Sequence, residues 1–177
     1  DGQVTIDGKV TVTNIYTAPQ PVEIALGVTK YMTTETGKKT DFNNSRFEFN
    51  LKSIGDAPLP ENTAAYTVSA NVSSERVFFD KIKFTEDVGS QKMVYEYEIS
   101  EVVPESPSGQ IIYSTETIRA EVTVSKDENN KLRVDNVQYY SNGAPVDEGA
   151  ITNVRISIPK TSDANAEQAP IYLAAML

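Results

Sequence analysis

Hydrophobic and polar residues alternate with a period of two along most of the chain, which is typical of strands with one buried face. The clearest run covers residues 46–52, where Phe47, Phe49 and Leu51 face inward. These residues share one parity, which means that they occupy every second position of the strand and point to the same face. Similar runs, separated by turn-forming residues, cover residues 22–32, 64–72, 76–84, 93–103, 111–125, 132–140 and 151–158. No segment has a sustained helical repeat. The sequence therefore predicts an all-β protein, an antiparallel β-sandwich of the Ig-like type.

Proline positions and composition divide the chain into three parts. Residues 1–20 contain a short alternating stretch and end between Pro19 and Pro21, two prolines that favour a stiff linker. Residues 21–158 carry all the long alternating runs and form the β-sandwich domain. Residues 159–177 are a tail in which a polar stretch is followed by an apolar one.

Three polar residues occupy positions that the alternation assigns to the core. Lys30 shares the parity of the apolar residues in run 22–32. Glu101 shares that of the apolar residues in run 93–103, and Asn153 shares that of Ile151. Taken alone, each has an ordinary explanation: a lysine that reaches solvent, a glutamate at a strand rim, an asparagine in a turn.

Together the three residues form a reactive set. Burial disfavours charge, so it lowers the pKa of a lysine and raises that of a glutamic acid. A neutral Lys30 amine is a nucleophile, and a protonated Glu101 could hydrogen-bond and polarise the Asn153 carbonyl and pass protons to the leaving amine. The product is a Lys–Asn isopeptide bond with loss of ammonia. The expected apolar surround consists of Phe47, Phe49, Tyr95 and Tyr97.

Parity also excludes other candidates for the reactive set. Glu96, Glu98 and Lys52 have the opposite parity and face solvent. A glycoside hydrolase needs two acids across a cleft. The alternation offers only Glu101 and Asp80 for that role, so this alternative is the weakest of those considered.

Composition excludes several function classes. The net charge of -9 argues against binding to nucleic acid or to anionic lipid. The chain has no cysteine and no histidine. Disulfides, thiol nucleophiles, serine–histidine triads and nearly all zinc sites are therefore excluded, and we expect no cofactor, no metal and no small-molecule substrate.

Four short motifs resemble a known family. In order they are Val28-Thr29-Lys30, Arg46-Phe47-Glu48-Phe49-Asn50-Leu51, Val94-Tyr95-Glu96-Tyr97-Glu98-Ile99-Ser100-Glu101 and Ile151-Thr152-Asn153. They resemble the strands of the pilin isopeptide-linkage domain, of the streptococcal T-antigen or FctA type, in Gram-positive pilins and surface adhesins. The resemblance covers residues 22–158. Ile151 stands where the family usually has phenylalanine, and the glycine that often precedes the tyrosine strand is displaced to Gly89.

The resemblance implies a pilin-type sandwich with specific site residues. Lys30 and Asn153 would be the bonded pair, joining the first and last strands, and Glu101 would be the catalytic carboxyl. Because the reaction is a single intramolecular turnover, the protein would not be an enzyme in the usual sense.

Asn14 is the one rival to Asn153. Its setting, Val12-Thr13-Asn14-Ile15-Tyr16-Thr17-Ala18-Pro19, resembles the end of the same kind of domain. We interpret this segment as the last strand of a preceding repeat, with its lysine outside this chain, or as an added edge strand.

The tail resembles a cell-wall sorting signal. Ile158, Pro159, Thr161 and Ser162 match an L-P-x-T-G pattern with isoleucine for leucine and serine for glycine. The ordinary alternative is a flexible linker. If the signal functions, sortase would cut after Thr161 and join the chain to peptidoglycan or to another pilin subunit.

The sequence thus predicts a structural domain of an extracellular pilin or cell-wall surface protein. Its expected partners are other pilin or surface-protein subunits and, through sortase, peptidoglycan. The alternative is an adhesin module that binds a host protein or glycan through the loops at 33–45 or 53–63, since loops often carry such functions.

Overall fold

A computed structural model describes residues 15–157, and these form twelve strands and no helix. The strands are β1 (Val22–Ile24), β2 (Gly27–Thr34), β3 (Glu48–Ile54), β4 (Ala64–Tyr66), β5 (Ser74–Phe78), β6 (Ile82–Phe84), β7 (Met93–Val102), β8 (Ile111–Ile112), β9 (Thr117–Lys126), β10 (Leu132–Ser141), β11 (Ala144–Val146) and β12 (Ala150–Arg155). The all-β sandwich predicted from the alternation is confirmed.

Two main sheets face each other. The larger has six strands in the order β11-β10-β9-β7-β3-β4, with every neighbouring pair antiparallel. The smaller has four strands in the order β5-β2-β12-β8. A separate antiparallel pair, β1 and β6, completes the described strands.

The smaller sheet contains one parallel pair, which the sequence does not predict. Strands β2 and β12 run side by side in the same direction, with Lys30 opposite Ile151 and Met32 opposite Asn153. Their other neighbours, β5 and β8, pair with them antiparallel. The start and the end of the domain therefore meet in the middle of one sheet.

The core lies between the two main sheets and follows the period-two alternation. On β7, Tyr95, Tyr97, Ile99 and Glu101 are buried while the residues between them are partly exposed. On β3, Phe49 and Leu51 are buried. Because alternate side chains point to opposite faces of a strand, these buried positions form the inner layer of the sandwich.

Three predicted runs are each divided in the structure, because the chain changes sheet within them. Run 22–32 becomes β1 and β2, which belong to different sheets. Run 76–84 becomes β5 and β6, and Phe78 is 57% exposed although it shares its parity with the buried Ile82 and Phe84. Run 111–125 becomes β8 and β9, joined by a segment that crosses between the main sheets.

The prediction for run 64–72 was too long, since only Ala64–Tyr66 forms a strand there. Asn14, Ile158, Pro159, Thr161 and Ser162 lie outside the described residues, so the predictions for these positions stay predictions. Within residues 15–157 there is no helix long and apolar enough to cross a membrane.

Candidate functional site

Strand β2 carries Lys30 into the core. Leu26, Val28 and Met32 have the same parity, and all three are completely buried. Lys30 has no solvent-exposed surface either. The ordinary explanation, a lysine that reaches solvent through its long stem, is therefore wrong for this residue.

Glu101 faces Lys30 from the opposite sheet. It is the last buried residue of the alternating series on β7, and it lies directly opposite Phe49 on β3. Its side chain has no exposed surface. The glutamate is therefore a core residue near the end of a strand, and a position at the solvent-exposed rim is excluded.

Asn153 comes from β12, two residues beyond Ile151, and is also completely buried. In the parallel register, Ile151 pairs with Lys30, so Asn153 is the next inward position along the neighbouring strand. Lysine has the longest aliphatic stem of the charged residues, and a diagonal neighbour on the same face lies within its reach.

The Glu101 carboxyl group contacts both of the other residues. Lys30 Nζ donates to Glu101 Oε2 at 2.9 Å, and Asn153 Nδ2 donates to Glu101 Oε1 at 2.8 Å. One carboxyl group thus touches the amine and the carboxamide nitrogen through its two oxygens. The structure brings together the three residues that strand parity and the motifs selected.

The carboxamide oxygen has a different partner from the one we expected. Glu101 was expected to hydrogen-bond the Asn153 carbonyl, but Asn153 Oδ1 accepts a hydrogen bond of 2.9 Å from the backbone N–H of Ser114. A backbone N–H can only donate, so the atom facing it must be the oxygen. This contact fixes the orientation of the carboxamide and turns its nitrogen toward Glu101.

Burial shifts the pKa values of both Lys30 and Glu101. It lowers the pKa of Lys30 from 10.5 to about 8, against the opposing effects of the Glu101 charge and hydrogen bond. It raises the pKa of Glu101, against the opposing effects of Lys30 and of the hydrogen bond from Asn153. Both shifts favour the pair of a neutral amine and a protonated carboxyl relative to the buried ion pair.

Aromatic rings cover the site, although they differ in part from the expected set. The Lys30 Nζ lies 4.8 Å from the centroid of the Phe47 ring. Phe42 and Tyr113 pack edge-on against Phe47, with centroid distances of 5.3 and 6.1 Å. Phe49 was expected there and flanks Glu101 across the strand pair.

The two other aromatic residues of the expected set have partners elsewhere. Tyr95 packs on Phe84, and the Tyr97 hydroxyl donates to the Pro58 carbonyl. Both lie on the buried face of β7, but their contacts lie further along the strand. The aromatic cover of the lysine therefore consists of Phe47 with Phe42 and Tyr113.

Strand parity could not identify three residues of the site. Phe42 lies in the polar stretch 33–45, and its one signal is that it is the only large apolar residue between Met32 and Phe47. Tyr113 and Ser114 lie in the segment where the chain crosses between sheets, which the alternation assigned to a continuous strand. Ser114 contributes a backbone group, which carries no sequence signature.

On the outer face of β2, a polar cluster lies behind Lys30. The Glu148 carboxylate accepts hydrogen bonds from Thr29 Oγ1 at 3.0 Å and Tyr31 Oη at 3.3 Å, and it pairs with Arg76 at 2.6 Å. Glu148 lies just before β12, while Thr29 and Tyr31 flank Lys30. These contacts hold β5, β2 and the start of β12 in the register that places Lys30 beside Asn153.

The alternative of a paired-acid glycosidase is not supported by the structure. Asp80 is exposed, between β5 and β6, whereas the Glu101 side chain has no exposed surface. The two acids therefore do not flank one cleft. Glu96 and Glu98 are partly exposed and Lys52 is exposed, as their parity predicted.

Comparison with known proteins identifies the same part of the chain. A family described as the Spy0128-like isopeptide containing domain, FctA, matches residues 26–154. None of the curated proteins compared with the sequence matches it.

The solved structures that are similar to the chain include three major pilins from Streptococcus pyogenes. The major pilin from Streptococcus pyogenes is 19% identical over 74% of this chain, with a TM-score of 0.47. The T-13 major pilin of that organism is 18% identical over 77%, with a TM-score of 0.48, and the T3.2 major pilin is 14% identical over 78%, with a TM-score of 0.43. The match covers 50%, 54% and 53% of these pilin chains, so this chain spans about half their length.

Proposed function

The chain belongs to the FctA family of Spy0128-like isopeptide containing domains, and we propose that it is a load-bearing domain of a Gram-positive pilus or surface protein. A bond between Lys30 and Asn153, formed without an external enzyme, would reinforce it. The observation that carries this proposal is the contact of one buried carboxyl group with both reacting nitrogens, at 2.9 and 2.8 Å.

The reaction begins with a proton transfer inside the buried pair. Lys30 Nζ passes a proton to Glu101 Oε2, which leaves a neutral amine and a carboxylic acid. Burial supports this step because it disfavours both charges, in agreement with the lowered pKa of Lys30 and the raised pKa of Glu101. The amine then attacks the Asn153 Cγ atom, and the carbonyl π electrons move to Oδ1.

The tetrahedral intermediate breaks down by loss of ammonia. The Nδ2 atom leaves after it gains the proton of the Glu101 carboxyl group, which it contacts, and the attacking nitrogen returns one proton to that group. One C–N bond forms and one breaks, so the chain loses one ammonia. The strands hold the reacting groups together, which replaces the entropic cost of bringing two molecules into contact.

The strand arrangement explains how such a bond would carry load. Strands β2 and β12 are parallel neighbours, so tension on the chain pulls β2 by its beginning and β12 by its end. Without the bond, this tension shears the hydrogen bonds between the two strands. With the bond, force passes from Lys30 to Asn153, and the chain between them carries none of it.

The proposal also includes display of the domain on the cell surface and its assembly with other subunits. Membership of an isopeptide-domain family supports a role on the cell surface with other pilin or surface-protein subunits as partners. The similarity of Ile158, Pro159, Thr161 and Ser162 to a sorting signal supports covalent attachment by sortase to peptidoglycan or to a neighbouring subunit.

Single-molecule pulling tests the load-bearing role. The domain is placed between reference domains and stretched from both ends, next to a Lys30→Met variant that lacks the nucleophile. The variant should release the segment between positions 30 and 153, a gain of roughly 400 Å for about 120 residues. The unchanged domain should give no such gain, and an equal gain in both proteins would refute the proposal.

A further inference from the structure

The backbone N–H of Ser114 donates a hydrogen bond to the carboxamide oxygen of Asn153. It lies 2.9 Å from Asn153 Oδ1, in the segment that joins β8 to β9. Strand β8 ends at Ile112, so the N–H of Ser114 is not used in the strand ladder and points at a side chain instead. Among the described residues, Ser114 is the one that donates a hydrogen bond to the side-chain oxygen Oδ1 of Asn153.

The segment around Ser114 is held on both sides. On one side, β8 is paired with the end of β12. On the other, Ser114 Oγ accepts from the Glu116 N–H at 3.1 Å, and the Glu116 carboxylate accepts hydrogen bonds from Ser141, the last residue of β10, and from Asn142 in the turn after it. The donor is therefore positioned before any reaction takes place, as an effective electrostatic group must be.

The oxygen that faces Ser114 is the atom on which charge develops. When an amine attacks Asn153 Cγ, the carbonyl oxygen becomes an oxyanion. Asn153 has no exposed surface, so bulk water does not stabilise that charge. A hydrogen bond to an ionised acceptor is about twice as strong as one to a neutral acceptor, so the Ser114 N–H binds the intermediate more tightly than the ground state.

Glu101 makes no hydrogen bond to this oxygen. Its Oε1 atom is bonded to the Asn153 nitrogen and its Oε2 atom to Lys30. Both carboxyl oxygens are thus directed to nitrogens, where protons are moved. We first assigned the contact with the Asn153 carbonyl oxygen to Glu101 as well. In the structure the backbone N–H of Ser114 makes that contact, and Glu101 contacts the two nitrogens.

We propose that the backbone N–H of Ser114 is the oxyanion donor of isopeptide formation and hence a catalytic group of this domain. The inference rests on the proposed Lys30–Asn153 reaction and adds a group that no side-chain comparison would identify. The Ser114 hydroxyl helps to hold the segment but makes no hydrogen bond to Asn153, so a test of the donor must compare proteins that both lack this hydroxyl.

The test compares two proteins that differ only in the N–H. Ser114→Ala keeps the backbone donor, and its partner carries lactic acid at position 114, which replaces that N–H by an ester oxygen. Both are made by cell-free synthesis, and the loss of ammonia is followed over time by intact-mass measurement. We expect the ester protein to react about 10²-fold more slowly than Ser114→Ala, the effect of removing one oxyanion-hole donor.

A second comparison separates the effect of the missing N–H on folding from its effect on the reaction. The same pair is made with Glu101→Ala, in which no bond forms, and thermal unfolding is compared; both proteins should unfold cooperatively, with the ester protein at a somewhat lower midpoint because Asn153 Oδ1 loses its donor. Ser114→Pro is a second protein without this N–H, and its folding is checked in the same way. Equal rates in Ser114→Ala and in either protein without the donor would overturn the inference. Failure of the unmodified protein to lose ammonia would instead refute the reaction itself.

Discussion

Lys30 and Glu101 form an ion pair between the two facing sheets, 2.9 Å apart, in which neither side chain has any exposed surface. Desolvation of two charges costs more than their attraction returns in many buried pairs, so such a pair is weak support for stability. The third member, Asn153, is an uncharged amide that the pair does not need as a counter-ion. The arrangement is better explained by chemistry than by packing, because it holds an amine, an amide and a shared proton carrier in contact.

Replacing the nucleophile should lower thermal stability. Lys30→Met has a similar volume, and burial raises the pKa of the Glu101 carboxyl that it leaves without a cation, so we expect that group to be neutral and packing alone not to destabilise the variant strongly. It cannot form the bond, and loss of a closed loop of about 120 residues suggests roughly 5 kcal/mol, by analogy with disulfides. For a domain of this size we expect the unfolding midpoint to fall by roughly 10–20 °C.

Differential scanning calorimetry of Lys30→Met and the unmodified domain measures this difference. Glu101→Ala serves as a second variant without the bond, and its midpoint should also lie well below that of the unmodified domain. A Lys30→Met midpoint equal to that of the unmodified domain would show that no bond contributes to stability.

In a variant without the bond, the lowered pKa of Lys30 should make the free energy of unfolding depend on pH. In Asn153→Ala, Lys30 keeps a pKa near 8 in the folded state, against 10.5 when unfolded. Between these values the unfolded chain binds more protons, so the free energy of unfolding rises with pH, by up to about 3 kcal/mol. Lys30→Met should lack this rise.

Urea denaturation of both variants at intervals from pH 7 to 10.5 checks this sign. The informative quantity is the difference between the two variants, because groups outside the Lys30–Glu101 pair titrate alike in both. Loss of Lys30 also raises the pKa of Glu101 in Lys30→Met, which adds to the difference in the same direction. A difference that stays constant across this range, or a fall for Asn153→Ala relative to Lys30→Met, would contradict the lowered pKa.

The aromatic cover should affect the reaction more than an equally buried ring elsewhere. Phe47 lies over the Lys30 amine, whereas Phe84 is also buried but packs on Tyr95. Phe47→Leu and Phe84→Leu should each cost about 1 kcal/mol of stability. Only Phe47→Leu opens the space beside Lys30, which admits water and weakens the desolvation that favours the neutral amine.

We therefore expect slower loss of ammonia in Phe47→Leu and an unchanged rate in Phe84→Leu, followed by intact mass from the time of synthesis. Similar slowing in both variants would show that general stability, and not the cover over Lys30, controls the reaction.

The three side chains of the proposed site could be predicted from the sequence because each belongs to an alternating strand. Lys30 lies between buried neighbours on its own face, Glu101 ends a buried series, and Asn153 follows Ile151. A period of two is a local property, so it remains visible without the fold. It also predicted the two-sheet, all-β architecture.

The rest of the site depends on tertiary arrangement. The Ser114 donor lies where the chain changes sheet, and the alternation there suggested one continuous strand. Phe42 enters the core from a polar loop. The parallel pairing of β2 with β12 depends on how distant segments meet, and no local pattern encodes it.

Intact-mass measurement of the denatured chain tests the central claim most directly. The unmodified protein should be lighter than its sequence mass by one ammonia, and protease digestion should give a branched peptide that joins the segments around Lys30 and Asn153. Glu101→Ala and Lys30→Met should each show the full mass of their sequences. An unmodified protein whose mass equals that of its sequence would contradict the account.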